Sequence, residues 1–215
     1  MRSNRILIAD DHSIVRAGLK LVAKEVLPSA VFEEACNGDE VISLVKKDDH
    51  ALVILDINMP DTDSIALVCN LLAYRKDIKV LIFTMNSEEL YAKRYLKLGV
   101  QGYLNKESDA AEVRRAIHLV LEGRPYIKST FKEYLYDERK PDKADNPFER
   151  LSDREIQIAK YFLLGYSYAE IQKTLNLHTS TIGTHKMRIF GKLQIKNLFD
   201  LGELARLYRL DASKF

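Results

Sequence analysis

Short apolar stretches alternate with longer amphipathic segments between residues 5 and 122 of the chain. The short stretches have the length and composition of buried strands, and they cover Arg5–Ala9, Val31–Ala35, Leu52–Asp56, Lys79–Thr84 and Gly102–Leu104. In the longer segments apolar residues recur every three or four positions, which is the period of a helix with one buried face. Strands that alternate with helices in this way predict an α/β fold, a five-stranded doubly wound parallel sheet with five helices.

The helical periodicity also predicts which residues of each helix face the sheet. In the first helix the predicted buried face consists of Ile14, Leu19, Leu21 and Val22. In the fifth it consists of Val113, Ile117, Val120 and Leu121. The two cysteines, Cys36 and Cys69, lie in apolar surroundings without metal-ligand spacing, which predicts buried free thiols in a reducing compartment.

The pattern changes after residue 125. Residues 126–149 are charged and bounded by proline towards their end, which is typical of a linker, although Thr130–Tyr136 has the pattern of a short helix. From Leu151 onwards every segment is helical in pattern, and four short helices are predicted. Two of them are joined by a tight turn at residues 176–178, which predicts a helix-turn-helix. The domain prediction is therefore 1–125, 126–149 and 150–215.

Charge is distributed unevenly between the two predicted domains. Residues 1–125 carry 17 Lys and Arg against 19 Asp and Glu, whereas residues 150–215 carry 11 against 6, so a net charge of +2 for the chain conceals a basic C-terminal part. No acidic residue lies between Glu170 and Asp200. A patch of one sign predicts a polyanionic partner such as DNA. The chain contains neither an apolar run of the ~18 residues that span a bilayer nor a signal-peptide core, so we expect a cytoplasmic protein without a membrane partner.

Carboxylates follow two of the predicted strands directly. Asp10 and Asp11 come after the first strand, and Asp56 ends the third. Because the carboxyl ends of parallel strands share one edge of the sheet, the three side chains are expected to converge there. Clustered carboxylates repel one another unless a cation lies between them, and oxygen ligands suit a hard ion such as Mg²⁺. One aspartate is therefore a candidate phosphoryl acceptor.

The string from Ile8 to Leu19, with its Asp-Asp-His, resembles the start of receiver domains in NarL/FixJ-type response regulators. The resemblance continues through Leu55–Pro60, Thr84 and Gly102–Lys106. It implies a flavodoxin-like receiver that is phosphorylated by a sensor histidine kinase or a small acyl phosphate. Asp56 is the expected nucleophile and Lys106 the fixed cation, while Thr84 and Tyr103 are the expected switch residues. Mg²⁺ is expected to bind Asp10, Asp11, Asp56 and the backbone carbonyl of Asn58.

Three positions depart from the usual receiver pattern. Ser64 stands where the family commonly has glycine, Glu107 where a proline often follows the lysine, and Met85 where a small residue is usual. Met85 is expected to narrow access to Asp56 and to slow phosphoryl exchange. His12 is interpreted as a residue that flanks or caps the first helix, without a catalytic role.

Residues 151–208 resemble LuxR-type helix-turn-helix domains, through Leu151–Glu155, Gly165–Ser167, Glu170–Ile171, Thr181–His185 and Lys192–Leu193. The third helix of this domain is the expected recognition helix, which enters the major groove. Its predicted buried side consists of Ile182, Ile189 and Leu193. The first turn of this helix has His178 where relatives often carry Ser or Thr, so Thr179 is a candidate cap instead.

The predicted DNA contacts divide into two groups. Thr181, Lys186, Arg188 and Lys192 are candidates for phosphate contact, which positions the helix without reading sequence. Ser180, Gly183, Thr184 and Met187 project from one side of the helix, and Thr184 and Met187 are candidates for contact with base edges. Relatives often carry a charged or polar side chain near positions 183 and 187, so a divergent operator is expected. The fourth helix has an apolar stripe, part of which is expected to be core while any surplus mediates a homodimer: Leu198, Leu201, Leu204, Ala205 and Tyr208.

The prediction that combines these features is a DNA-binding transcriptional regulator of a two-component system, controlled by phosphorylation of Asp56 and without enzymatic turnover of its own. One alternative is a DNA-binding regulator that never uses phosphate and whose receiver is a dimerisation platform. Another is a phosphatase of the HAD type, which also begins its chemistry at an aspartate after a strand. That class needs a second aspartate two residues later, where this chain has Asn58.

Overall fold

The computed structural model describes residues 4–86, 88–128 and 146–208. The chain divides into two compact units, residues 1–137 and 138–215. The predicted short helix at Thr130–Tyr136 and most of the predicted linker lie outside the described residues.

A parallel sheet forms the centre of the N-terminal unit. Its strands are β1 (Arg5–Ala9), β2 (Val31–Ala35), β3 (Leu52–Leu55), β4 (Val80–Thr84) and β5 (Gly102–Asn105). The spatial order is β2-β1-β3-β4-β5, and every pairing is parallel. All residues of β3 and β4 are buried, as expected for central strands covered on both faces. The predicted doubly wound sheet is confirmed.

Five helices surround the sheet: α1 (Ser13–Val26), α2 (Gly38–Lys47), α3 (Ser64–Tyr74), α4 (Glu88–Leu98) and α5 (Ala110–Leu121). Short polar residues begin three of them, since the side chains of Asn37, Asp63 and Asp109 each accept a hydrogen bond from a backbone N–H in the first turn. Helices α1 and α5 share one hydrophobic core with the sheet, in which Leu19, Ala23, Val113 and Ile117 are buried.

The predicted buried face of α1 was wrong in part. Ile14 is 85% exposed and Leu21 68% exposed, whereas Leu19 and Ala23 are buried. Val15, Val22 and Val26 pack against the same core. The buried stripe therefore follows positions 15, 19, 22, 23 and 26, which is a regular helical spacing. The prediction placed the buried stripe on the large apolar residues Ile14 and Leu21. In the structure smaller apolar residues, valine and alanine, form most of the stripe.

The predicted burial of the two cysteines was also wrong. Cys36 and Cys69 are both exposed free thiols. Cys36 follows β2, and its Sγ donates to the Glu40 carboxylate at 3.1 Å. This hydrogen bond to a carboxylate raises the pKa of the Cys36 thiol, which disfavours the reactive thiolate. Cys69 lies in α3, whose apolar composition extends to its solvent side.

The C-terminal unit begins with a 3₁₀ turn at Pro147–Arg150 and continues with four helices: α6 (Asp153–Leu163), α7 (Tyr168–Leu175), α8 (Thr179–Leu193) and α9 (Leu198–Leu207). The predicted capping box of Ser152 and Glu155 begins α6, and an equivalent pair, Ser167 and Glu170, begins α7. Asn176, in the left-handed conformation with φ of 50°, ends α7 and starts the turn into α8. Among the described residues, no helix has the length and apolar composition needed to cross a membrane.

Candidate functional site

Four of the predicted receiver residues lie at one edge of the sheet. Asp10 follows β1, Asp56 follows β3, Thr84 ends β4 and Lys106 follows β5. Backbone hydrogen bonds fix this edge: the N–H of Asp56 donates to Ala9 O at 2.8 Å, and the N–H of Lys106 donates to Thr84 O at 2.9 Å. Because β1, β3, β4 and β5 are neighbours in the sheet, the residues that follow them become neighbours too.

The Lys106 ammonium lies between two buried carboxylates. Its Nζ is 2.7 Å from Asp56 Oδ2 and 2.6 Å from Asp10 Oδ2. The side chains of Asp10 and Asp56 are only 1% and 3% exposed, so water screens neither charge. Burial raises the pKa of Asp56 despite the opposing effect of Lys106. Burial alone would lower the pKa of Lys106, but the carboxylates of Asp56 and Asp10 outweigh it and raise that pKa.

The expected magnesium ligands are gathered only in part. The ligand atoms of Asp10, Asp11 and His12 lie within 4.8 Å of one another, and His12 Nδ1 is 2.8 Å from Asp11 Oδ1. Asp56 is not a member of this compact group; the ammonium of Lys106 lies beside it instead. Nevertheless, two carboxylates contact one ammonium and Asp11 adds a third carboxylate beside Asp10, and such excess negative charge with oxygen donors suits a divalent hard cation. Asp10 and Asp11 are therefore the donors that fit Mg²⁺ in this structure.

His12 occupies the position before α1 but makes no side-chain capping bond. Its backbone N–H donates to Asp10 Oδ1 at 2.9 Å, so the residue orients the carboxylate rather than the helix. Arg16 lies in the motif from Ile8 to Leu19, where the sequence predicted no role for it, and it also contacts Asp10. Its guanidinium donates to the Asp10 carbonyl at 2.7 Å and to Glu34 Oε2 at 2.8 Å. Arg16 therefore ties the end of β1 to β2.

A second polar network lies beside Asp56. The backbone N–H of Asn58 donates to Asp56 Oδ1 at 3.1 Å, and the Asn58 side-chain amide donates to Thr84 Oγ1 at 3.2 Å. Asn58 and Asn86 exchange amide hydrogen bonds of 3.0 and 3.2 Å. Sequence reasoning missed Asn86. The signal was available, because Asn86 follows Thr84 by two residues as Asn58 follows Asp56, and the strands β3 and β4 are adjacent.

Tyr103 on β5 is connected to this network. Its ring is buried, and its hydroxyl donates to the Asn86 carbonyl at 3.1 Å.

Two residues that depart from the usual receiver pattern, Ser64 and Met85, have different surroundings. Ser64 is buried and accepts a hydrogen bond of 2.9 Å from the Tyr95 hydroxyl, which gives a reason for serine at this position. Met85 is 51% exposed and lies between Thr84 and Asn86 in the chain.

In the C-terminal unit the predicted recognition helix is α8. Ile182, Ile189 and Leu193 are buried, as predicted. Ser180, Thr184, Met187 and Arg188 are exposed, whereas Thr181 and Gly183 are partly buried. His178 precedes the helix without a side-chain cap, and Thr179 does not cap it either, since its hydroxyl donates to Gln172 at 2.9 Å. The side chain that was expected to cap α8 instead connects it to α7.

Two of the predicted phosphate contacts are directed into the domain. Lys192 Nζ lies 2.6 Å from the buried Glu155 carboxylate. Lys186 Nζ lies 5.3–5.7 Å from the ring centroids of Phe162, Tyr168 and Phe190. Both ammonium groups therefore have partners within the protein. The prediction overlooked these contacts because lysine alone does not reveal which neighbours its long side chain will meet.

Comparison with known proteins places both units in established families. Residues 6–118 match the response regulator receiver domain family, and residues 149–205 match bacterial regulatory proteins of the luxR family. The response regulator GacA of Pseudomonas protegens is 33% identical over 210 residues, 97% of this chain and 99% of GacA. The response regulator UvrY of Escherichia coli (strain K12) is 29% identical over 201 residues, 93% of this chain and 92% of UvrY.

A solved structure of RcsB from Salmonella enterica serovar Typhimurium, bound to the promoter rprA in the presence of the phosphomimetic BeF₃⁻, has a similar fold. It aligns with a TM-score of 0.61 at 23% identity, covering 94% of this chain and 98% of that one. At this level of identity the likeness concerns the fold alone.

Proposed function

The chain belongs to the response regulators that join a receiver domain to a LuxR-type DNA-binding domain, and we propose that phosphorylation of Asp56 controls its binding to double-stranded DNA. The observation that carries the proposal is the position of Asp56, buried at the carboxyl edge of the sheet with the Lys106 ammonium 2.7 Å away. A buried nucleophile beside a fixed cation suits the transfer of a charged phosphoryl group.

The proposed reaction is an in-line displacement at phosphorus. An Asp56 carboxylate oxygen forms the new P–O bond, while the bond from phosphorus to the donor's histidine nitrogen or acyl oxygen breaks and its electron pair leaves with the donor. Lys106 moves from the carboxylate to an oxygen of the transferred group, since its ammonium is the nearest cation. Asp10 and Asp11, with the Asn58 carbonyl, would hold Mg²⁺, which neutralises phosphoryl charge when bound.

Thr84 and Tyr103 are the proposed switch. The phosphoryl group offers new acceptor oxygens beside β4, and the Thr84 hydroxyl donates to one of them. Thr84 is joined to Tyr103 through Asn86, whose backbone N–H donates to Thr84 Oγ1 at 3.4 Å and whose carbonyl accepts from Tyr103 at 3.1 Å. A change at Thr84 therefore reaches the buried ring of Tyr103 through a single residue, which supports a two-state response.

The proposed partners are a sensor histidine kinase, duplex DNA and a second copy of the chain. RcsB has been solved as two dimers bound to two parallel DNAs, which supports DNA-bound dimers in this family. In this chain α9 leaves Phe199 75% exposed and Leu207 74% exposed, and these side chains are the proposed dimer contacts. We further propose a cytoplasmic regulator without turnover of phosphate monoesters, since Asn58 cannot serve as the acid of a HAD-type phosphatase.

The test uses the full chain with acetyl phosphate and Mg²⁺, and intact mass measures whether one phosphoryl group is gained. Asp56→Asn removes the nucleophile, and Asp61→Asn, at an exposed aspartate, is the matched control. We expect incorporation in the wild type and the control but not in Asp56→Asn. DNA affinity is then measured with and without beryllofluoride. An equal affinity in all samples would favour the alternative in which the receiver never uses phosphate.

A further inference from the structure

The side of α8 that faces solvent near its N-terminus carries hydroxyl groups but no side chain able to pair bidentately with a base. With 100° per residue, Ser180, Gly183, Thr184 and Met187 project within about a quarter turn of one direction. Met187 is 73% exposed, and Ser180 and Thr184 are exposed as well. None of the four is Arg, Lys, Asn or Gln, which are the residues that pair bidentately with guanine or adenine.

The Thr184 hydroxyl is already engaged. It donates to the Ser180 carbonyl at 3.0 Å, one turn earlier in the same helix. A threonine hydroxyl has one proton, so this bond uses its only donor; the oxygen remains an acceptor, and the methyl group is the other feature that the side chain presents. Thr184 and Met187 together therefore offer an apolar surface on which the Thr184 oxygen can accept a hydrogen bond but not donate one.

The neighbouring basic residues do not replace the missing side chains that would pair bidentately with bases. Lys186 is held among three aromatic rings and Lys192 against Glu155. Arg188 is exposed but lies about 90° round the helix from the centre of this side, a position that suits contact with phosphate more than with a base edge. A phosphate contact adds to affinity without reading base sequence.

Gly183 completes this surface. A Cβ at this position would meet no atom within 4 Å, and its φ is not positive, so neither packing nor backbone conformation of the protein requires glycine here. Glycine inside a helix costs about 1 kcal/mol relative to alanine. Because glycine has no side chain, the helix surface between Ser180 and Met187 is lower at this position. The helix axis can therefore come closer to a groove.

Resting on the proposed function, we infer that this protein reads its operator through thymine 5-methyl groups, contacted by Thr184 and Met187 while Gly183 allows close approach. Thymine is the only base that presents a methyl group in the major groove. The expected target is therefore an operator whose half-sites place thymines opposite this surface, with specificity from apolar contact and not from paired hydrogen bonds.

The experiment begins with selection of bound duplexes from a random library by the full-length, beryllofluoride-treated protein. Thymines of the enriched sequence are then replaced singly by deoxyuridine, which removes only the methyl group. We expect one or two positions per half-site to lose affinity about fourfold each, the change that corresponds to ~0.8 kcal/mol for a methyl-sized group. Thr184→Ser or Met187→Ala should abolish the deoxyuridine effect at its own thymine, as a double-mutant cycle requires.

Two control variants separate this role from a general effect on the helix. Thr174→Ser removes a threonine methyl from α7, where the hydroxyl makes the same kind of bond to the carbonyl one turn earlier at 2.8 Å, and it should leave the deoxyuridine profile unchanged. Gly183→Ala and Gly191→Ala both add a Cβ in open space and should both raise thermal stability. Only Gly183→Ala should weaken specific binding, because the N-terminal residues of a recognition helix lie against the bases.

The outcomes distinguish this inference from the function on which it rests. Sequence-specific binding that tolerates deoxyuridine everywhere, and that is unchanged in Met187→Ala, would overturn methyl readout and leave DNA binding intact. A library from which the protein enriches no sequence at all would remove the proposed function and the inference with it.

Discussion

Lys106 connects two buried carboxylates of the receiver, Asp10 and Asp56. Its ammonium is the charge that offsets their repulsion where solvent cannot, since its own side chain is only 10% exposed. A neutral amide at this position leaves both carboxylates without their cation. The residue therefore contributes to stability before phosphorylation as well as to the chemistry proposed for it.

For Lys106→Gln we expect a loss of about 3 kcal/mol in the free energy of unfolding at pH 7, the usual size for breaking a buried ion pair. Burial already raises the pKa of Asp56, and loss of the ammonium raises it further. A carboxyl whose pKa is higher in the folded than in the unfolded state binds its proton preferentially when folded. The deficit should therefore shrink as the pH falls from 7 towards the ordinary pKa of 3.8.

Urea unfolding followed by circular dichroism at pH 7 and pH 5 measures this change. Lys97→Gln, at an exposed lysine in α4, provides the control and should cost less than about 0.5 kcal/mol at either pH. A deficit in Lys106→Gln that is equally large at both pH values would contradict the electrostatic explanation and would indicate lost packing of the lysine stem instead.

At the scale of elements, α6, α7 and α8 of the C-terminal unit meet around one ammonium group. Phe162 belongs to α6, Tyr168 to α7, and Lys186 and Phe190 to α8. The cation therefore lies beside an aromatic ring from each of these three helices. Lys186 on this basis is a structural residue, whereas Arg188 is exposed on α8 and stays a predicted phosphate contact.

These two residues should consequently differ in their effect on DNA binding. We expect Lys186→Met, which keeps the stem but not the charge, to reduce stability by about 1 kcal/mol and to leave the salt dependence of binding unchanged. Arg188→Gln should instead leave stability within about 0.5 kcal/mol of the wild type and reduce the slope of log affinity against log salt by about 1. Thermal unfolding and fluorescence anisotropy at several salt concentrations distinguish them, and equal slopes would refute the assignment.

The elements were largely predictable from the sequence, and the reasons are physical. Buried strands such as Leu52–Leu55 are continuously apolar, and the capping box of Ser152 and Glu155 depends only on local spacing. The phase of α1 was not predictable from its large apolar residues, since Ala23 is buried and Ile14 is not. The convergence of Asp10, Asp56 and Lys106 followed from strand order, but the rings around Lys186 depend on tertiary packing that spacing does not encode.

At the scale of the whole molecule, charge differs between the two ends of the chain. Residues 1–125 carry a net charge of −2, from 17 basic and 19 acidic residues, while residues 150–215 carry +5, from 11 and 6. A polyanion is therefore attracted to one part of the protein and not to the other. This division should govern non-specific binding to DNA, which depends mainly on phosphate contacts.

A pair of charge reversals tests this division in the full chain. Lys196→Glu introduces an acidic residue into the stretch between Glu170 and Asp200, which otherwise contains none. Lys97→Glu makes the same change at an exposed site in α4. We expect the first to lower non-specific affinity for a random duplex at 50 mM salt about tenfold or more, and the second to change it less than threefold. The difference should narrow at 200 mM salt, because screening weakens both effects. Equal losses in the two variants, measured by anisotropy, would show that net charge alone matters.

The hydrogen bonds of Thr84 bear on how readily the receiver can respond. Its Oγ1 accepts from the Asn58 amide at 3.2 Å and from the Asn86 backbone N–H at 3.4 Å. These bonds occupy the oxygen's lone pairs, and a hydroxyl still has its hydrogen to give. An incoming phosphoryl oxygen can take that hydrogen without displacing either donor. Under the proposed phosphorylation, Thr84 therefore gains a hydrogen bond while it keeps the two that it accepts from Asn58 and Asn86, and loss of the phosphoryl group leaves those two bonds in place.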